Sequence, residues 1–125
     1  MLTAFANYKP EIGYVQGMNF IAALLLLQFS DERAAFWMLV SLMLEHNLCD
    51  LFSNEFIALK ELFDEIDVNV QYKFPCLFDM MKRYGIMADI YAAKWIITMF
   101  AIDFPTMIVM SIMDMYMIDQ KKVVI

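Results

Sequence analysis

From Gly13 to Leu27 the sequence reads GYVQGMNFIAALLLL, a short turn bounded by glycines and then an unbroken apolar run. Apolar side chains lie on nearly every side of a helix drawn from about Tyr14 to Phe29. A helix that is apolar all round is typical of a buried position. We therefore predict that the segment from Ile12 to Phe29 forms a central helix that is excluded from solvent.

Glycine and proline mark the ends of the other predicted helices, because proline cannot continue a helix and glycine readily ends one. Ser30 and Asn54 are predicted N-caps, whose side chains can accept a hydrogen bond from the first turn. The remaining predicted helices run from Leu2 to Tyr8, Asp31 to about Glu45, Glu55 to about Asp67, Pro75 to Gly85, Ala88 to Ala101 and Pro105 to about Met117. No segment of length alternates with a period of two, so the predicted fold class is all-α.

The composition leaves two classes of protein open. Hydrophobic residues make up 62% of the 125 residues, above the roughly 45–50% apolar fraction of ordinary soluble domains. Either a membrane protein or part of a larger buried core would have this composition. The longest uncharged stretch, Ile12 to Ser30, has 19 residues and includes Gln16, Asn19 and Gln28, which are costly in lipid. We therefore predict a single domain over residues 1–125, with no transmembrane segment and no signal peptide.

Charge and cysteine content exclude further classes. The formal net charge is −6, from 15 acidic and 9 basic residues, and the basic residues are scattered along the chain. Because phosphate backbones are bound by a concentrated basic face, we predict no nucleic-acid partner. Cys49 and Cys76 are far apart in the sequence, and without a signal peptide we interpret them as reduced thiols of an intracellular protein.

Metal-ligating residue types cluster once, where His46, Cys49 and Asp50 fall close together. A zinc site needs three or four ligands and the second cysteine is distant, so we interpret this segment as a helix end and predict no metal. The sequence contains no GxxxxGK[ST] or GxGxxG loop, and His46 has no partner nucleophile at a recognisable elbow. We therefore predict that the chain is not an enzyme by itself.

Methionine occurs 13 times, and four methionines fall on one stripe of the last predicted helix: Met107, Met110, Met113 and Met117. Such a stripe is either an adaptable binding groove or core filling, since the flexible thioether packs well into irregular gaps. We favour core filling.

A glutamine at the start of an apolar helix also has two interpretations. If Gln16 were buried, its amide would need partners for two donors and a carbonyl. If it were exposed, it could project into the surface of a partner protein, because Gly13 and Gly17 permit close approach of backbones.

Several motifs together resemble one family. The segment from Gly13 to Asn19, with the apolar run behind it, is similar to the hallmark of TBC domains, the GTPase-activating modules of Rab-type GTPases. Four further segments resemble TBC motifs in the same order: Asp31 to Trp37, Tyr84 to Ile86, Tyr91 to Trp95 and Met99 to Pro105. The resemblance extends from Leu2 to Asp114 and implies a multi-helix TBC-like domain that is incomplete at both ends.

The resemblance implies a mechanism shared with a partner. TBC domains insert an arginine and a glutamine into the active site of a Rab-type GTPase, and the GTPase itself binds GTP and Mg²⁺, so this chain is expected to hold no cofactor. Gln16 matches the glutamine finger, which orients the attacking water. Gly13, Tyr14 and Gly17 match residues that position the finger, and Asn19 is expected to support the turn.

The arginine finger of the family belongs to an Ile-x-x-Asp-x-x-Arg motif that precedes this turn. None of the 15 residues before Gln16 is an arginine, while Arg33 and Arg83 lie in other segments, so we predict no arginine finger in this chain.

Two functions stay open. The first is a GTPase-activating module of vesicle trafficking, cytoplasmic or peripheral to endomembranes; the second is an inactive TBC-like module that binds a GTPase or scaffold. Apolar surface left uncovered also predicts self-association.

Overall fold

A computed structural model describes residues 1–52 and 56–118. Within these residues the chain forms α-helices and one short 3₁₀ helix, with no strand, which confirms the predicted all-α class. The helices are α1 (Leu2–Tyr8), α2 (Met18–Gln28), α3 (Glu32–Leu44), the 3₁₀ helix (Leu48–Leu51), α4 (Ile57–Lys73), α5 (Pro75–Arg83), α6 (Ala88–Ile97) and α7 (Thr106–Ile118).

The central helix is shorter and less buried than predicted. α2 begins at Met18 rather than Tyr14, because Gly17 has φ 110° and ψ −31°, which are not helical angles. Leu25 is fully buried, but Leu26 is 45% and Leu27 73% exposed, so the prediction of complete solvent exclusion is wrong. An apolar run shows which sides of a helix could be buried. Neighbouring helices decide which of those sides actually are.

Other helix ends also differ from the sequence prediction. Asp31, not Ser30, caps α3, and its Oδ1 accepts a hydrogen bond from the Arg33 N–H at 3.1 Å. α4 continues to Lys73 instead of ending near Asp67, and Pro75 follows, which disfavours helical angles at the residue before it. The predicted cap Asn54 lies outside the described residues.

α6 ends at Ile97, short of the predicted Ala101. Met99 and Phe100, with φ of 50° and 62°, occupy the left-handed region and turn the chain away from the helix axis. Non-glycine residues adopt this region only when their surroundings hold them there. The prediction that Pro75 opens a short helix and that Gly85 follows its end is confirmed, since α5 runs from Pro75 to Arg83.

The buried side chains form two clusters. The main core joins α1, α2, α3, the 3₁₀ helix and α7, and its fully buried members include Phe5, Ile21, Leu39, Leu48 and Val109. The small core lies between α4 and α6 and consists of Leu59, Ala88, Ala92 and Ile96. Leu51 and Ile97 pack against both cores. These two residues therefore connect the helices of the main core with those of the small core.

The methionine stripe on α7 fills the main core along most of its length. Met113 is fully buried, and Met110 and Met117 pack against the same cluster, which confirms the core-filling interpretation for these three. Met107 is 85% exposed, so the core-filling interpretation is wrong for this methionine. Among the helices described here, none has both the length and the apolar character needed to cross a membrane.

A hydrogen bond joins α7 to the segment after α3. The Tyr116 hydroxyl donates to the His46 carbonyl oxygen at 3.0 Å, and the Tyr116 ring is buried. Replacing Tyr116 by phenylalanine is expected to lower the free energy of unfolding at neutral pH by about 1–2 kcal/mol, since the part-buried carbonyl oxygen of His46 loses its donor. Urea denaturation measures this change. Tyr72→Phe is the matched control because Tyr72 is 86% exposed, and an equal loss in both variants would contradict the assignment.

The burial of Tyr116 also predicts a pH dependence. Burial raises the pKa of Tyr116 from 10.0 to about 12 in the folded protein. A pKa raised by folding means that the stabilisation is complete below pH 10 and is lost as the pH rises through about 12. Denaturation across this alkaline range should show a fall in stability that is smaller for Tyr116→Phe.

Candidate functional site

The candidate site is the turn between α1 and α2. Lys9 follows α1, and its carbonyl oxygen accepts hydrogen bonds from the N–H groups of Ile12 at 3.1 Å and Gly13 at 2.9 Å. Gly13 has φ 67°, a left-handed angle that glycine adopts without steric cost. The chain thus leaves α1 in a hydrogen-bonded turn and enters a short non-helical segment, residues 14–17, which we call the finger turn.

Gln16 is exposed in the finger turn, one residue before the glycine from which α2 starts. The interpretation of Gln16 as a buried structural residue is therefore wrong. Its amide has both a donor and an acceptor available for a partner molecule.

Asn19 holds the finger turn from the α2 side. Its Oδ1 accepts one hydrogen bond from the Gly17 N–H at 3.3 Å and another from the Tyr14 hydroxyl at 3.4 Å. One side-chain oxygen therefore bridges the first and last residues of the turn, on either side of Gln16. The structure thus brings Asn19, Tyr14 and Gly17 together at the turn, and their support of Gln16 as a finger stays a prediction. Tyr14 itself is 53% exposed.

Gly17 makes a second contact that positions the turn, with the end of α6. It is buried, and a β-carbon added to it would overlap the γ2 methyl of Ile97 and come within 3.0 Å of the Ile97 carbonyl oxygen. Because glycine has no β-carbon, the backbone of the finger turn can lie directly against the end of α6. Sequence reasoning identified Gly17 but missed Ile97, because nothing in the local pattern indicates a contact across this distance in the chain.

The end of α6 is itself fixed by several hydrogen bonds. The Thr98 hydroxyl donates to the Lys94 carbonyl oxygen at 2.7 Å, and the Phe100 N–H donates to the Trp95 carbonyl oxygen at 2.7 Å. Asp103 then accepts from the Lys94 ammonium at 2.7 Å and from the Trp95 indole N–H at 2.9 Å. The hydrogen bond from Lys94, with the charge of its ammonium, holds the pKa of Asp103 below its usual value. We call residues 94–103 the α6 clamp.

The remaining candidates from the sequence do not form a second site. The structure brings together no group of three or more His, Cys, Asp or Glu side chains that could hold a metal ion, within residues 1–52 and 56–118. His46 follows the end of α3, as the helix-end interpretation predicts. Cys49 is half-buried, and burial, with the neighbouring Asp50 carboxylate, raises the pKa of its thiol. Cys76 is exposed on α5.

A groove of about 290 Å³ lies between α4 and α6, apart from the finger turn. Its lining is mostly apolar and includes Ile66, Val70, Phe74, Tyr91, Trp95 and Phe100. No residue of the finger turn lines it, so it does not bring Gln16 close to a second chemical group.

Comparison with known proteins gives a consistent result. GTPase-activating protein GYP5 of Eremothecium gossypii is 34% identical over 119 residues, which are 95% of this chain and 14% of that protein. GTPase-activating protein GYP5 of Saccharomyces cerevisiae is 33% identical over 125 residues, 100% of this chain and 14% of that protein. Rab GTPase-activating protein tbc-11 of Caenorhabditis elegans is 34% identical over 113 residues, 90% of this chain and 12% of that protein.

The chain thus spans about one seventh of the length of these relatives. It also matches the family of the Rab-GTPase-TBC domain over residues 1–125. A match over this range covers the finger turn, the α6 clamp and every helix described above. The chain belongs to the Rab-GTPase-TBC domain family.

Proposed function

We propose that this chain is part of a GTPase-activating module for Rab-type small GTPases and that it contributes Gln16 to the partner's active site. The observation that carries the proposal is the exposed Gln16 in a turn that two contacts hold: the hydrogen bond to Asn19 and the contact of Gly17 with Ile97. The relatives named above are GTPase-activating proteins, two from fungi and one from a nematode.

The chemistry follows from what phosphoryl transfer requires. The transition state spreads charge over the transferring phosphoryl group, and catalysis consists almost entirely of positioning and electrostatic stabilisation. In this proposal GTP and Mg²⁺ are bound by the partner GTPase. The Gln16 amide accepts a hydrogen bond from the attacking water and donates one to the phosphoryl oxygen, so the water lies in line for attack. The activator itself is unchanged at the end of the reaction.

A held turn suits this role because a group that acts by position loses its effect when it moves. Misplacement of a reacting or orienting group by 1 Å can lower a rate by about 10²-fold. Asn19 Oδ1 limits the motion of residues 14 and 17 together, and Gln16 lies between them. The proposed place of action is the cytoplasmic surface of endomembranes, where a Rab-type partner in vesicle trafficking would be met.

The test is single-turnover GTP hydrolysis by a panel of Rab-type GTPases, with the complete natural protein at saturating concentration. Gln16→Ala is expected to lower the hydrolysis rate constant by about 10²-fold or more while the half-saturating concentration changes little, because the contact matters mainly in the transition state. Gln28→Ala is the matched control, since Gln28 is an exposed glutamine at the other end of α2. Equal rates for the two variants would remove Gln16 from the mechanism.

The second candidate function is a TBC-like module that binds a GTPase or a scaffold without stimulating hydrolysis. Residues 1–15 contain no arginine, so residues 1–125 by themselves match only the glutamine finger. Binding of the GTP-bound partner with no change in hydrolysis rate, by the complete natural protein, would support this second function over the first.

A further inference from the structure

Gly17, the residue after Gln16, lies against a residue of α6 that follows Gln16 81 positions later in the sequence. Ile97 is the last residue of α6, and two of its groups occupy the space beside Gly17: the γ2 methyl and the carbonyl oxygen. Adjacent Cα atoms are about 3.8 Å apart across a trans peptide, so a displacement of Gly17 displaces Gln16 as well. The position of Gln16 thus depends on Ile97.

Both groups of Ile97 are fixed in place. A β-branched side chain has one strongly preferred χ1 rotamer in a helix, so the γ2 methyl has a defined direction. The backbone at Ile97 is held by the α6 clamp, in which Thr98 N–H and Thr98 Oγ1 both donate to the Lys94 carbonyl oxygen, at 3.2 Å and 2.7 Å. Thr98 is buried, so these bonds are shielded from water.

We propose that Ile97 is a positioning residue for Gln16, acting through its γ2 methyl against Gly17. Together with the hydrogen bonds to Asn19, it sets the direction in which Gln16 leaves the surface. This proposal rests on the proposed function of Gln16. It adds that the direction of the Gln16 side chain is set by α6 as well as by the finger turn and α2.

The test compares two substitutions that differ in branching. Ile97→Val keeps the γ2 methyl and loses the δ1 methyl, whereas Ile97→Leu keeps the size of the side chain and loses the branch at Cβ. In the complete natural protein, Ile97→Leu is expected to lower the hydrolysis rate constant at saturation by about 10–100-fold, while Ile97→Val changes it less than about threefold. The half-saturating concentration should stay the same in both, because Ile97 acts through Gly17. Ile97→Met, also unbranched, replaces Ile97→Leu if that variant does not fold.

The outcomes separate this inference from the proposed function. Equal rate constants for Ile97→Leu and Ile97→Val would overturn the positioning role, as would an effect of Ile97→Leu on the half-saturating concentration alone. Gln16→Ala is measured beside them. If Gln16→Ala lowers the rate constant and Ile97→Leu does not, only the positioning role fails. If Gln16→Ala has no effect, the proposed function and the positioning role fail together.

Discussion

Residues 1–125 alone are expected to stimulate GTP hydrolysis by Rab-type GTPases about 10³–10⁵-fold less than a module that supplies both an arginine and Gln16. An arginine finger neutralises charge that develops on the transferring phosphoryl group, and no residue before Gln16 carries that guanidinium. The loss corresponds to roughly 4–7 kcal/mol of barrier. Orientation of water by a glutamine does not replace this electrostatic contribution.

The measurement is single-turnover hydrolysis with two proteins, residues 1–125 and the complete natural protein, across the same panel of GTPases. A complete protein that carries an Ile-x-x-Asp-x-x-Arg segment before the turn is expected to be active and sensitive to Gln16→Ala. Strong stimulation by residues 1–125 would refute the argument that both fingers are needed.

Replacing Gly17 by alanine is expected to destabilise the protein by about 2–5 kcal/mol. The φ of 110° at Gly17 is unfavourable for any residue with a β-carbon, which costs about 1–2 kcal/mol. The added β-carbon would also overlap the γ2 methyl of Ile97, and overpacking of this kind costs about 1–3 kcal/mol. Thermal or urea unfolding of the two proteins gives the difference in free energy.

Gly85→Ala is the matched control for this prediction. Gly85 also has a positive φ, 68°, but nothing lies within 4 Å of the position its β-carbon would take. It should therefore show the backbone cost alone, about 1–2 kcal/mol. If Gly17→Ala and Gly85→Ala destabilise equally, the added β-carbon meets no overlap and the close approach of Gly17 to Ile97 is contradicted.

The helical class could be read from the sequence because the responsible signals are local. Pro75 and Gly85 bound α5 as predicted, and Gly13 lies in the turn that proline and glycine indicated. Two of the boundaries that were wrong depend on backbone angles that the residue pattern does not specify. α2 starts late because Gly17 has φ 110°, and α6 ends early because Met99 and Phe100 adopt left-handed angles that their residue types do not favour.

The candidate site was likewise only partly readable from the sequence. The exposed position of Gln16 and the support from Asn19 lie within a few residues of each other, where spacing and residue type are informative. The α6 clamp could not be predicted in this way, because Lys94, Trp95 and Asp103 meet through a turn whose shape the hydrophobic pattern does not encode. The resemblance placed these three residues in family motifs without indicating what they contact.

The division of the buried residues into a main core and a small core has a consequence for local unfolding. Among the residues that the structure describes, the small core contains four buried residues, against sixteen in the main core. A region with fewer buried apolar contacts opens at a lower free energy, so backbone amides of α4 and α6 should exchange their hydrogens with solvent faster than those of α2 and α3. Each opening of α6 would release Ile97 from Gly17. The fraction of time during which the Gln16 side chain has the direction proposed for catalysis would then depend on fluctuations of α4 and α6, neither of which contains Gln16.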